Sequence, residues 1–251
     1  MSGPMDRWND GTIRIVRAAA LTVGVLSIFP SFHRSGLAAQ VGHDPAHSPF
    51  RDIQRGAGPV LFAGHLSGDR GRADAGPSNA LGIGVRYEVP LGRATVSQFA
   101  AAVLKGNRFI RNPAVDDTAA RRRTGPVDTD ILLTEIGLQL RLTGGKTWHG
   151  LAPYLGTGLG LAFDLRSPGD TTASGYQFGT KLTVSAATGV RWHATHKVTV
   201  HLDARALFWR LKYPVSFHST APDGSRVIPL LDPLTEWTAH PWVSLGVGWI
   251  F

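Results

Sequence analysis

The chain has 251 residues, 43% of them hydrophobic and 18% charged, with 30 glycines, 16 prolines and no cysteine. That length holds one large domain or two small ones. A charged share below the usual quarter and a glycine share above average disfavour a long-helix or coiled-coil protein. The lack of cysteine excludes disulfides, thiolate metal sites and cysteine nucleophiles, and a formal net charge of +8 favours anionic partners such as nucleic acid, phosphorylated glycolipid or a membrane surface.

Arg7, Arg14 and Arg17 precede an apolar run from Ala18 to Phe29, which Pro30 breaks. The small-residue stretch Ser35-Gly36-Leu37-Ala38-Ala39 follows. This order predicts an export signal over residues 1–39, cleaved after Ala39. The alternative is a buried N-terminal helix; the run is shorter than the roughly 20 residues that a membrane-spanning helix needs. Residues 40–57 are expected to form a poorly ordered leader, and residues 58–251 the folded domain.

From there on, segments of about ten residues alternate with period two, the signature of strands rather than of helices with their 3.6-residue repeat. In chain order they are Pro59–Ser67, Leu81–Glu88, Thr95–Leu104, Leu132–Leu142, Leu155–Phe163, Leu182–Trp192, Val198–Phe208 and Trp242–Phe251. The face assignment of Thr95–Leu104 stays open. Short connections (Pro90-Leu91-Gly92, Gly144 to Gly150, Ala194-Thr195) alternate with long ones (68–79, 105–128, 164–176, 212–236). Tight turns at one end and long loops at the other predict an all-β, eight-stranded antiparallel up-and-down transmembrane β-barrel.

A membrane barrel turns apolar residues outward and polar ones into its lumen. The polar faces carry Arg86, Glu88, Glu135, Arg141, Lys181, Arg191, Asp203 and Arg205, both signs of charge mixed with small residues. These eight are the predicted lumen charge network, a plug filling a width that holds only side chains. Aromatics are expected in two interfacial girdles. Tyr87, Trp192, Trp249 and Phe251 form the one at the short-turn end, and Phe163, Phe178 and Phe208 the one at the long-loop end.

The last strand, Ser244-Leu245-Gly246-Val247-Gly248-Trp249-Ile250-Phe251, resembles the C-terminal assembly signal of Gram-negative outer-membrane barrels. Ser244, Gly246, Trp249 and Phe251 occupy its polar, glycine, aromatic and terminal aromatic places. The chain looks most like the small OmpA/OmpX/OmpW-type barrels. The resemblance implies the cell outer membrane, contact with outer-membrane lipid and lipopolysaccharide, recognition by the barrel-assembly machinery and a monomer. Barrels of this class share no single function.

Other chemistry is sparse. His65 and Ser67 share one face near the long-loop end, and with Glu135 as acid they are the candidate rim hydrolase; two polar residues facing a wet lumen is the simpler reading, because residues i and i+2 of a strand seldom meet. His193 and His196 flank a turn, and His43 and His47 lie in the leader, without the carboxylates a metal site wants. Neither a cofactor nor a metal is expected. Gly156-Thr157-Gly158-Leu159-Gly160 precedes no helix, so it reads as strand glycines rather than a nucleotide loop. Arg121, Arg122 and Arg123, with Lys105, Arg108 and Arg111, form either a phosphate-attracting or a plain solvated loop. No aromatic platform accompanies them, so nucleic acid is not expected as a partner. The expected function is a structural or surface-interacting membrane barrel rather than an enzyme, with narrow-pore transport of small solutes and rim lipid hydrolysis as the alternatives.

Overall fold

The computed structural model describes residues 48–53, 56–166 and 174–251; the expected export signal lies outside them. Eight long strands close into an antiparallel barrel: β2 (Gly58–Leu66), β3 (Ser78–Pro90), β4 (Thr95–Arg111), β5 (Arg123–Arg141), β7 (Leu151–Asp164), β8 (Thr180–His193), β9 (Val198–Lys212) and β10 (Thr235–Trp249). Each pairs with the next in this order, and β10 returns to β2 from Gly248↔Val60 to Trp242↔Leu66, leaving no open edge.

The remaining two strands are short. β1 (Phe50–Asp52) pairs with β6 (Lys146–Trp148), so part of the expected leader is ordered as a ribbon against the β5–β7 turn. Backbone bonds extend it, Ile53 donating to Gly145 and His149 to Pro49.

The barrel strands run longer than the periodicity indicated. β4 continues to Arg111 and β5 begins at Arg123, so the 105–128 connection shrinks to residues 112–122. Alternation fades there because neither face meets a uniform solvent. The undecided face of β4 resolves as well: Val96, Gln98, Ala102 and Leu104 are buried, whereas Phe99 and Lys105 are exposed.

Burial follows the pleat. Leu81, Ile83, Val85, Ile136, Leu138, Leu140, Leu159, Leu182, Leu202, Val243 and Leu245 are exposed on the outer wall, while Arg86, Glu135, Gln139, Arg191 and Asp203 are buried. The outer face of β10 runs from Trp237 to Trp249 without a charge. At about 3.3 Å per residue and a tilt of about 40°, it spans roughly 30 Å of height, enough for a hydrocarbon core. Tyr87, Trp192, Trp249 and Phe251 are exposed at the short-turn end. The other girdle differs from expectation: Phe163 and Phe208 are half-buried and Phe178 is fully buried. Phe178 precedes Gly179 and β8 altogether, so the outward alternation of the strand does not apply to it.

Phe178 belongs to an apolar core in the long-loop half of the barrel. Leu66, Leu104, Ile131, Leu133, Leu207, Trp209 and Leu211 point inward from the strands, and Ala73, Ala75, Tyr176, Phe178, Phe217 and Ile228 fold in from the loops. Trp209 stacks on His240 at 3.9 Å and meets the edge of Phe178 at 5.6 Å. The sequence predicts a plug of charged and hydrogen-bonding side chains; here that network fills one half of the lumen and an apolar core the other. Trp209→Ala should cost about 3–5 kcal/mol, the usual figure for emptying a packed aromatic site. Urea titration of the refolded protein measures this, and a loss under about 1 kcal/mol would show that the core is not close-packed.

Candidate functional site

The short-turn half of the lumen holds the charged side chains. Arg86 on β3 reaches across to Asp203 on β9, with Nη2 to Oδ2 at 2.7 Å and Nη1 to Oδ1 at 3.3 Å. Its Nε lies 3.4 Å from Glu88. Arg191 on β8 meets the other Glu88 oxygen at 2.5 Å. Arg205 pairs with Glu135 of β5, and the Tyr154 hydroxyl of β7 donates to Asp203.

Neutral groups join these pairs. Arg86 donates to Gln98 Oε1 at 3.2 Å, and Gln139 Nε2 donates to the same oxygen at 2.8 Å. Gln139 in turn accepts from Arg191 at 3.1 Å, and Gln98 Nε2 donates to Glu135 at 3.4 Å. His201 Nδ1 lies 3.8 Å from Glu88. Small residues make the room: a Cβ on Gly158 would come within 2.6 Å of the Glu135 carboxyl carbon.

Six of the eight predicted network residues thus meet within ion-pair or hydrogen-bond reach: Arg86, Glu88, Glu135, Arg191, Asp203 and Arg205. Arg141 is buried beside them without a carboxylate partner of its own among the described residues. Lys181 stands apart at the long-loop end, its ammonium 5.7 Å from the Phe178 ring centre and in no ion pair among the described residues. Gln98, Gln139 and Tyr154 were missed. Gln139 shares its face with Glu135 and Arg141 and could have been added on parity alone; Gln98 waited on the face of β4.

The candidate rim hydrolase does not assemble. His65 is exposed on the outer wall of β2, in register with Leu81 and Val243, and Ser67 follows on the same parity. Glu135 points into the lumen, where Arg205 holds it. The reading of His65 as lumen-facing is therefore corrected, and Ser67, half-buried just past the end of β2, is left without the base it would need. β2 is apolar on both faces (Val60 and Leu66 inward, Leu61 and Ala63 outward), which left its orientation without contrast. Among the described residues no group of three or more His, Asp or Glu is placed to hold a metal.

The basic loop residues are mostly engaged. Arg122 is buried and donates to the carbonyls of Asn112, Pro113 and Val115, at 2.6 Å for the last. Arg123 meets Asp74 at 2.6 Å and lies 3.4 Å over the Phe109 ring. Arg111 binds the Ala73 carbonyl at 2.9 Å and Asp74 at 3.4 Å. Arg108 is buried against the Tyr176 ring, while Lys105 and Arg121 are exposed. Loops also clip one another. Asp223 accepts from the Asp117 amide at 2.8 Å and returns its own amide to Asp116 at 3.0 Å. Glu236 accepts from the Tyr213 hydroxyl at 2.5 Å and from the Arg72 amide at 2.7 Å. Burial first, and then the Glu236 carboxylate, push the Tyr213 hydroxyl well above its usual pKa.

Two voids, one between Arg86, Glu135 and Arg205 and one between Glu88, Arg141 and Arg191, measure about 10 Å³ each, scarcely room for a single water.

No protein-family model matches the chain, and no curated protein matches it. Solved structures similar to it include Neisserial surface protein A (14% identity, TM-score 0.48, 78% of this chain and 97% of that one). The outer membrane protein OprG from Pseudomonas aeruginosa is similar at 14% identity and TM-score 0.49, over 80% and 98%. The N-terminal β-barrel domain of Pseudomonas aeruginosa OprF is similar at 14% identity and TM-score 0.40, over 79% and 100%.

Removing one member of a buried ion pair strands the other. Asp203→Leu should therefore cost about 3–5 kcal/mol, and adding Arg86→Met should recover most of it; urea titrations of the three proteins give both numbers. The loop clip carries a pH signature. The Ser225 hydroxyl first, and then the Asp117 amide, hold Asp223 down to about 2 from 3.8. The folded value lies below the unfolded one, so the clip's contribution is complete above pH 3.8 and fades as the pH falls through about 2. The Asp117 amide resonance should titrate with that midpoint in NMR spectra; a midpoint near 4 would mean that the clip does not form.

Proposed function

We propose that this chain is an integral β-barrel protein of the outer membrane, a monomer with a plugged lumen, whose role is structural or surface-interacting through its long loops. One observation carries the reading: a charge-free apolar wall surrounds an interior of paired ions. In water that arrangement would expose aliphatic surface far beyond the few hundred Å² usual for a soluble monomer, whereas in lipid it satisfies both sides. The exposed aromatics at the short-turn end suit the headgroup boundary. The apolar run from Ala18 to Phe29 and the Ser244–Phe251 strand support export and handling by the barrel-assembly machinery. Lys105 and Lys212, exposed at the long-loop end, support contact with lipopolysaccharide phosphates.

The small voids and the apolar upper lumen favour a plug over transport. The outward His65, and Glu135 held by Arg205 in the lumen, remove the support for a rim hydrolase.

The reading predicts that Leu245→Arg, on the outer wall at mid-strand, lowers stability in lipid vesicles by roughly 2–4 kcal/mol. An exposed position in water would change by no more than about 0.5 kcal/mol. The same refolded protein should migrate differently on a detergent gel before and after boiling, and should leave a planar bilayer silent. A cost near zero for Leu245→Arg would overturn the membrane assignment, and unitary conductance steps would overturn the plug.

A further inference from the structure

The β1–β6 ribbon stands outside the closed barrel, yet its register continues the barrel's outer face. His149 and Gly150, both at positive φ, make the tight turn between β6 and β7 and set Trp148 opposite Leu151. Leu151 pairs in turn with Trp192 of β8. On the other side Trp148 pairs with Phe50. Directly opposed residues share a face of a sheet, so Phe50, Trp148, Leu151 and Trp192 form one row on the face that the barrel turns outward. Three ladder steps of about 4.8 Å make the row roughly 14 Å long. Phe50 and Trp148 are each 50% exposed and Trp192 49%. Thr147, on the alternate parity, is buried. The ribbon thus has a covered side and an aromatic side.

We propose that this ribbon is an interfacial membrane anchor, its Phe50–Trp148 face resting on the phospholipid headgroup boundary at the short-turn end. Continuity carries the assignment: the row runs without a break from Trp192, one of the exposed aromatics at that end, onto a segment that belongs to no barrel strand. Tryptophan and phenylalanine rings settle where acyl chains meet headgroups. Next along the same face stand Asp52 and Lys146, opposite one another, charges that a headgroup layer accepts and hydrocarbon does not. The anchor also accounts for the order of β1. Three residues paired to three make a ribbon that is marginal in water, and the bonds from Ile53 to Gly145 and from His149 to Pro49 add little to it. Contact with lipid supplies the rest. The inference rests on the membrane reading above and extends it: the segment ahead of the barrel is part of the membrane-binding surface.

The test uses the full chain, labelled with fluorotryptophan and refolded in phosphatidylcholine nanodiscs. Fluorine NMR signals are assigned with Trp148→Phe, Trp192→Phe and Trp209→Phe. Two broadening agents are compared: phosphatidylcholine bearing a nitroxide near its headgroup, and a gadolinium chelate confined to water. The Trp148 and Trp192 signals should both broaden more with the lipid nitroxide than with the chelate. Trp209, buried in the lumen, should respond to neither. A Trp148 signal that broadens with the chelate alone, while Trp192 follows the lipid, overturns the anchor and leaves the membrane reading standing. If Trp192 also follows the chelate alone, both fall. Broadening of Trp148 by neither agent would mean that protein covers the face, as a second copy would, and overturns the anchor as well. If Trp148→Phe does not refold, a nitroxide on Ser48→Cys decides, the chain having no other thiol. Faster collision with oxygen than with a water-soluble nickel chelate upholds the anchor, and the reverse overturns it.

Discussion

A barrel of eight strands is too narrow for an ion to keep its hydration shell, and the rest of the architecture follows from that confinement. Apart from Arg141 and Lys181, the charged side chains of the predicted network that the pleat turns inward find a counter-charge on another strand. Arg86 of β3 finds Asp203 of β9, Arg191 of β8 finds Glu88 of β3, and Arg205 of β9 finds Glu135 of β5. None of these strand pairs is adjacent in the barrel, so the bonds brace it across its diameter. They also lock register. A slip of one residue would turn Arg86 and Asp203 toward the apolar surroundings and bring Tyr87 and Leu202 into the lumen.

Along each strand the lumen changes character. On β9 the inward series runs His201, Asp203, Arg205, Leu207, Trp209, Leu211; on β5 it runs back from Gln139 and Glu135 to Leu133 and Ile131. The apolar half does more than fill space. It shuts water out of the ionic half from the long-loop side, which lowers the local dielectric and strengthens each pair. The loop side chains Tyr176, Phe178, Phe217 and Ile228 complete that seal.

The central part of each strand was legible because its two faces differ sharply. In Leu182–Trp192 and Val198–Phe208 the alternation gives the strand, and the charges of both signs on one face, Lys181, Arg191, Asp203 and Arg205, point that face into the lumen. Beyond the apolar belt that contrast disappears. Trp209 and Leu211 point inward and Trp237 outward, so both faces read as apolar there, while the polar, glycine-containing stretches 105–111 and 123–128 read as loop although they are strand. The charged lumen residues were visible from parity, but their pairing was not, since it depends on how the sheet tilts as it closes. Parity also drew in Lys181, which lies on the same face as Arg191 but several residues above the ionic layer. Tyr154 went unmarked because a tyrosine among strand aliphatics looks like one more apolar residue until its hydroxyl is seen on Asp203.

The same closure decides where a role is to be sought. A solute crossing the lumen would have to part three buried ion pairs and then a packed aromatic core, and both are costly in a medium that offers no water in exchange. On the proposed reading the surface at the long-loop end is the part of the molecule that specifies a role, as loops on a rigid scaffold commonly do. Three of its loops are tied together, through Asp74 to Arg123, Asp223 to Asp117 and Glu236 to Arg72. They present one shaped surface with Val215, Leu230 and Leu231 exposed on it. Arginines that composition alone would assign to phosphate attraction hold this surface in place, because Arg111, Arg122 and Arg123 spend their donors on the loops' own carbonyls and on Asp74. The charge of these three arginines is thus structural, and it shapes the loops more than it advertises a polyanionic partner.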